Sequence, residues 1–134
     1  MKIAVDLDGT LVEWGRIFGK TFTDYDPSRL GDPIPKMIDR VKVWLEQGHE
    51  VVIFTARMHP SHKEEVEIAR QAINKWSLET FGKELEITCM KDRAMEQIWD
   101  DRAVSVERDT GRVLTEGIEK IDECSDAIGS FLGV

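Results

Sequence analysis

Four carboxylates stand in two close pairs, Asp6 with Asp8 in KIAVDLDGTLV and Asp100 with Asp101 in IWDD. Each pair follows directly on an apolar run. If the fold gathers them, two like charges about 4 Å apart repel by roughly 4 kcal/mol at an effective dielectric near 20. Such a group calls for a divalent cation, and all-oxygen ligands select a hard one, Mg²⁺ in a cell. Thr55 ends the apolar run VVIF and Lys91 follows ITCM. A hydroxyl donor and a compact positive charge both suit the remaining oxygens of a phosphoryl group. A carboxylate can attack phosphorus to give an aspartyl-phosphate. A second acid two residues on can protonate the leaving oxygen and later deprotonate water. The competing reading of Asp-Gly-Thr is a solvated turn, in which these residues are ordinary.

The elements that would position these groups follow from hydrophobic periodicity. Ile3–Val5 reads as a short buried strand and EVVIFTAR as a second, covered on both faces. Pro35 starts a helix with Met37, Ile38, Val41, Trp44 and Leu45 on one face, and Gly48 stops it. A longer helix follows, with Ser61 and Glu64 as a capping box and Val66, Ala69, Ala72, Ile73 and Trp76 as its buried stripe. LEITCM is a third strand, KDRAMEQ a short helix and IW a brief fourth strand. AVSVERDTGRVL reads as a hairpin bent at Asp109-Thr110-Gly111, and a closing helix carries Ile118, Ile121, Ile128 and Leu132. Strands alternating with helices imply an α/β layer fold with a mostly parallel sheet, whose strand C-termini share one edge. There Asp6, Asp8, Thr55, Lys91, Asp100 and Asp101 should collect, as ligands do in such sheets.

DLDGTLV, with FTAR, MK and WDD downstream in that order, resembles the haloacid-dehalogenase-like (HAD) superfamily of phosphohydrolases. The matching segments run from Asp6 to Asp101, about three quarters of the chain. The resemblance implies a Rossmann-like three-layer domain spanning residues 1–134, with Asp6 as nucleophile and Mg²⁺ ligand. It implies Asp8 as general acid/base, contributing its main-chain carbonyl to the metal, and Thr55 and Lys91 as phosphate holders. Asp100 is favoured as a further metal ligand, with Asp101 close behind. An acid at position 8 points within the superfamily to phosphomonoester hydrolysis. The irregular excursion over residues 13–34 is too short for a folded cap domain, which implies a capless member with a flap at most. Open sites of this kind go with large substrates, or with a homo-oligomer whose neighbours act as lids.

Net charge of −8 and a pI near 4.9 argue against sequence-blind binding to a nucleic-acid backbone, but not against a small anionic substrate. Cys89 and Cys124 lack a metal or redox spacing and read as buried thiols in a reduced, cytoplasmic setting. No apolar run is long enough to span a bilayer, and the N-terminus reads as a strand, so no membrane partner is expected. Trp14, Phe18, Phe22 and Tyr25 lie in the excursion and either stack on a base or sugar or pack the flap. His59 and His62 offer a second metal site or plain polar surface. Arg57 reaches either phosphate or the local acids, Arg102 braces the acidic pair, and Arg16, Lys20 and Arg29 guide a polyanion or are solvated.

The expected activity is a Mg²⁺-dependent phosphatase acting on a small phosphorylated substrate, a nucleotide or sugar phosphate. A phosphorylated nucleic-acid end is the alternative within that class. Outside it stand a receiver-like phosphoacceptor module, whose acidic pair would come first in the chain, and an inactive phosphate-binding module on the same scaffold.

Overall fold

The computed structural model describes residues 1–14, 16–17, 20–21 and 24–115. The expected closing helix, Phe18, Phe22 and Cys124 lie outside them, as do the side chains of Arg16, Lys20 and His62. The chain divides into two units, Met1–Asp101 and Arg102–Val134.

The first unit is built on β1 (Lys2–Asp6), β4 (Glu50–Phe54), β5 (Glu86–Thr88) and β6 (Met95–Trp99), with β2 (Arg16–Ile17) and β3 (Lys20–Thr21) as a small antiparallel pair. The four-stranded sheet runs β5-β4-β1-β6 and every pairing in it is parallel. Helices α1 (Pro35–Glu46) and α2 (Lys63–Phe81) form the crossovers from β1 to β4 and from β4 to β5. This is an α/β fold, a parallel sheet flanked by helices, consistent with the expected Rossmann-like three-layer architecture.

Alternation explains the burial. Ile3, Val5 and Leu7 share a cluster with Val51 and Ile53 of β4, Met37, Ile38 and Val41 of α1, and Ala69 and Ile73 of α2. Ala4 and Val52, at the intervening positions, are also fully buried, so both faces of the central strands are covered. Pro35 opens α1 in its first turn, where a missing N–H costs nothing. Gly48, at φ +85°, ends it in the left-handed conformation.

Three local expectations are corrected. The helix expected over KDRAMEQ is a turn followed by strand: Asp92 Oδ1 accepts from the main-chain N–H groups of Ala94 and Met95, and β6 is already under way at Met95. Parallel pairing is the cause, because β6 must begin at the same end as Lys2, its register partner being Met95. Ser61 does not cap α2. A 3₁₀ turn at Pro60–His62 precedes the helix, and the His59 side chain accepts from Ser61 N–H. The buried stripe of α2 also contains a polar residue, Ser77, which is fully buried. Its Oγ donates to Lys83 O at 2.8 Å and accepts from Leu85 N–H at 2.9 Å, fastening the turn between α2 and β5 to the helix.

In the second unit, Val106 and Val113 pair antiparallel, and Leu114 N–H donates to Ser105 O at 2.8 Å. Asp109 adopts φ 67° at the bend, as a tight hairpin tip requires.

Ser77→Ala would strand the buried Leu85 N–H, for which the penalty is about 1–3 kcal/mol. Urea unfolding should show the midpoint falling by that equivalent with an unchanged slope, the sign of lost stability without a change of fold.

Candidate functional site

β1 is the central strand of the site, with β4 on one side and β6 on the other. Asp6 is its last residue, opposite Phe54, and Val5 pairs with Trp99. Asp100 and Asp101 follow β6 immediately, and Thr55 follows β4. One oxygen from each of Asp6, Asp100 and Asp101 lies within 4.8 Å of the other two. Asp6 and Asp100 are half-buried and Asp101 is exposed.

The turn after β1 is shaped around this group. Leu7 O accepts from Leu11 N–H at 2.9 Å and from Val12 N–H at 3.1 Å, closing the turn. Gly9 sits inside it at φ +88°, where a Cβ would stand 2.5 Å from Asp101 Oδ2. Glycine is required twice, for the left-handed backbone and for the approach of the carboxylate. Thr10 then ties the two strand ends together. Its hydroxyl lies 3.3 Å from Asp101 Oδ1 and 3.5 Å from Asp6 Oδ2, donating toward both, and it accepts from Asp101 N–H at 3.1 Å. Sequence reasoning gave Thr10 no separate role; its place in Asp-x-Asp-Gly-Thr was the available signal.

The electrostatics follow from that crowding. The Asp6 carboxyl is pushed up from 3.8 to about 7, first by burial, then by the charge of Asp100 and by hydrogen bonding and charge from Asp101. Without a cation the group keeps a proton near neutrality. Oxygens bound at about 2.0–2.1 Å around an octahedral ion lie roughly 3–4 Å apart. The three carboxylates, each with an oxygen within 4.8 Å of the others, are the hard donors Mg²⁺ takes, so this donor set fits the ion.

Asp8 is not part of this trio. Arg57 grips both its oxygens, Nε to Oδ2 and Nη2 to Oδ1, each at 2.8 Å. Of the two readings of Arg57, contact with a local acid is the one present. The same guanidinium donates through Nη1 to Arg29 O at 2.8 Å and Pro27 O at 3.5 Å, and lies 5.1 Å from the Tyr25 ring centroid. Tyr25 and the loop around Arg29 therefore pack against the domain through Arg57.

Thr55 is buried at the end of β4, its N–H donating to Thr88 O at 2.8 Å and its Oγ1 accepting from Arg57 N–H at 3.2 Å. The hydroxyl hydrogen stays available as a donor. No hydrogen bond or ion pair joins Lys91 to these groups among the described residues. It is exposed, and it precedes Asp92, whose carboxylate takes a 2.6 Å hydrogen bond from Lys2 at the start of β1. The link from β5 to β6 must return to the opposite end of the sheet within residues 89–94, and Lys91 travels with it. Among the described residues it makes no hydrogen bond or ion pair. His59 Nδ1 is occupied by the 3₁₀ turn, accepting from Ser61 N–H at 3.1 Å and lying 2.7 Å from Ser61 Oγ. Trp14 is 58% exposed, and Arg102 belongs to the second unit.

No family model matches the chain, and no curated protein matches it. Among solved structures, a conserved protein from Bacteroides thetaiotaomicron is similar at 24% identity over 92% of this chain and 91% of that one, with a TM-score of 0.43. Among the described residues no helix is long and apolar enough to cross a membrane.

Because the Asp6 carboxyl titrates near 7 in the ion-free fold and near 3.8 when unfolded, the native state holds the extra proton between those values. This group's contribution to stability is therefore full below about pH 4 and is lost as pH rises through 7. Thermal unfolding in chelator should show Asp6→Asn more stable than the wild type at pH 8, with the difference vanishing by pH 4.

Proposed function

We propose that this protein is a Mg²⁺-dependent phosphomonoesterase of the HAD-like type, working through an aspartyl-phosphate. The observation that carries the reading is the convergence of Asp6, Asp100 and Asp101 within 4.8 Å at the end of the central strand pair. The resemblance of DLDGT, FTAR and WDD to that superfamily supports it from the sequence side.

In this reading Asp6, Asp100 and Asp101 hold the ion, with the main-chain carbonyl of Asp8 as a further ligand implied by the resemblance. Mg²⁺, when bound, offsets the charge of the carboxylates and of the phosphate oxygens beside them. An Asp6 oxygen attacks phosphorus, and the bond from phosphorus to the ester oxygen breaks. Asp8 delivers a proton to that departing oxygen, then takes one from the water that attacks the aspartyl-phosphate, so free phosphate leaves and Asp6 is regenerated. The Thr55 hydroxyl donates to a non-bridging oxygen of the phosphoryl group. Lys91, assigned to the same task by the resemblance, is given no role. The proposed substrate is a nucleotide or sugar phosphate, in line with the net charge of −8. A phosphorylated nucleic-acid end is the other arm of the substrate test.

One observation favours a second reading, a phosphate-binding module without turnover: both oxygens of Asp8 are engaged by Arg57. As a proton shuttle, Asp8 has to turn one oxygen toward the ester.

The test is hydrolysis of nucleotides, sugar phosphates and 3′- or 5′-phosphorylated oligonucleotides, with Mg²⁺ present and chelated. The expected outcome is turnover that needs the cation and falls at least about 10³-fold in Asp6→Asn, with folding kept. Mg²⁺ should also raise the unfolding temperature of the wild type more at pH 8 than at pH 6, because the proton on Asp6 competes with the ion. No hydrolysis of any ester, together with Mg²⁺-induced stabilisation, would favour the module without turnover.

A further inference from the structure

We infer that Arg57 is a positioning residue that locks the loop over residues 25–29 and Asp8 into one arrangement, so that this loop and the orientation of the Asp8 carboxylate change together. The catalytic consequence rests on the proposed role of Asp8; the lock itself does not.

Arg57 is well placed for this. Its side chain is only 7% exposed, in the 3₁₀ turn Ala56–Met58 just after Thr55. Four of its five donors are committed: Nε and one Nη2 hydrogen to Asp8, and both Nη1 hydrogens to Arg29 O and Pro27 O. The planar fork explains why an arginine stands here, since it spans a carboxylate on one edge and main-chain carbonyls on the other, with the Tyr25 ring near it. The loop is shaped to meet it. Asp26 Oδ1 accepts from Ser28 N–H at 2.9 Å and Ser28 Oγ–H at 2.7 Å, and Oδ2 accepts from Arg29 Nε at 3.0 Å. These bonds hold the carboxyl down to about 2, the Ser28 contacts contributing most. They fix the turn that aims the Pro27 and Arg29 carbonyls at the guanidinium.

Two acids separated by a single residue thus have different partners. Asp6 faces Asp100 and Asp101, while Asp8 is drawn to Arg57 and out of the trio. A guanidinium shared between a carboxylate and a loop cannot release one without loosening the other. For a phosphatase, that couples docking of the loop over residues 25–29 to the direction in which Asp8 presents its proton.

Arg57→Lys keeps the charge but offers donors from a single point, which cannot span both edges. Hydrogen exchange followed by mass spectrometry, on the full chain without substrate, reads the lock directly. The expected result in Arg57→Lys is exchange over residues 24–30 faster by tenfold or more, with β1, β4 and α2 unchanged. Unchanged protection of that loop overturns the inference. Asp8→Asn should shift and broaden the Arg57 Nε–H resonance in NMR spectra, and an unmoved signal likewise overturns it. The catalytic half is read from leaving groups. Arg57→Lys should lower kcat for an alkyl phosphate at least tenfold more than for p-nitrophenyl phosphate, which departs without an acid. Equal losses for the two esters overturn the positioning of Asp8. A wild type that hydrolyses neither ester removes the phosphatase reading and this consequence with it, while the exchange result still decides the lock.

Discussion

Mutual repulsion among Asp6, Asp100 and Asp101 is the constraint around which this end of the molecule is arranged. The three carboxylates converge at one edge of the sheet, and burial first, then the charges of Asp100 and Asp101, push the Asp6 carboxyl up to about 7. The backbone brings these acids together, through parallel pairing of β1 with β6 and a turn closed by the bonds of Leu11 and Val12 N–H to Leu7 O. Thr10 is the local brace, its hydroxyl facing one acid from each strand and accepting the N–H of Asp101. Its hydrogen bonds soften the repulsion but supply no positive charge of their own.

The strand order makes the arrangement possible. Chain order runs β1, β4, β5, β6, yet the sheet order is β5-β4-β1-β6, so the first and last strands become neighbours. Acids more than ninety positions apart in the chain meet because the sheet grows to one side of β1 through two helical crossovers and then fills the other side. The last move has only residues 89–94 with which to return across the sheet, and it leaves no room for a helix. Lys91 lies in that return, beside Asp92, whose carboxylate meets Lys2 at the start of β1.

What the sequence made legible was what periodicity and strand ends determine locally. The buried runs at Ile3–Val5 and Val51–Ile53, the stripe of α1 and the hairpin bend at Asp109 are each written in a few adjacent residues. Asp6, Thr55, Asp100 and Asp101 were legible as polar residues directly after such runs. Less legible was whatever depends on a partner elsewhere. The start of β6 at Met95 is set by pairing with Lys2, and local composition pointed to a helix instead. Ser77 breaks an apolar stripe because the turn beyond α2 needs a donor and an acceptor there. Arg57 carried two readings because a lone arginine after a strand says nothing about which acid or carbonyl it meets.

Gly9 shows why some motifs are so compact. Its backbone lies at φ +88°, already costly for any residue with a side chain, and the space a Cβ would fill is held by the Asp101 carboxylate. The two demands come from different parts of the chain, one from the local turn and the other from a strand end that arrives last in sequence. A residue permitted by the turn alone would still push the acid out of the trio. One permitted by the contact alone would still strain the turn. The short stretch Asp-Leu-Asp-Gly-Thr thus encodes two destinations for its acids. Asp6 stays at the strand end with Asp100 and Asp101, Asp8 is turned toward Arg57, and the glycine between Asp8 and Thr10 lets a neighbouring strand end close against the turn.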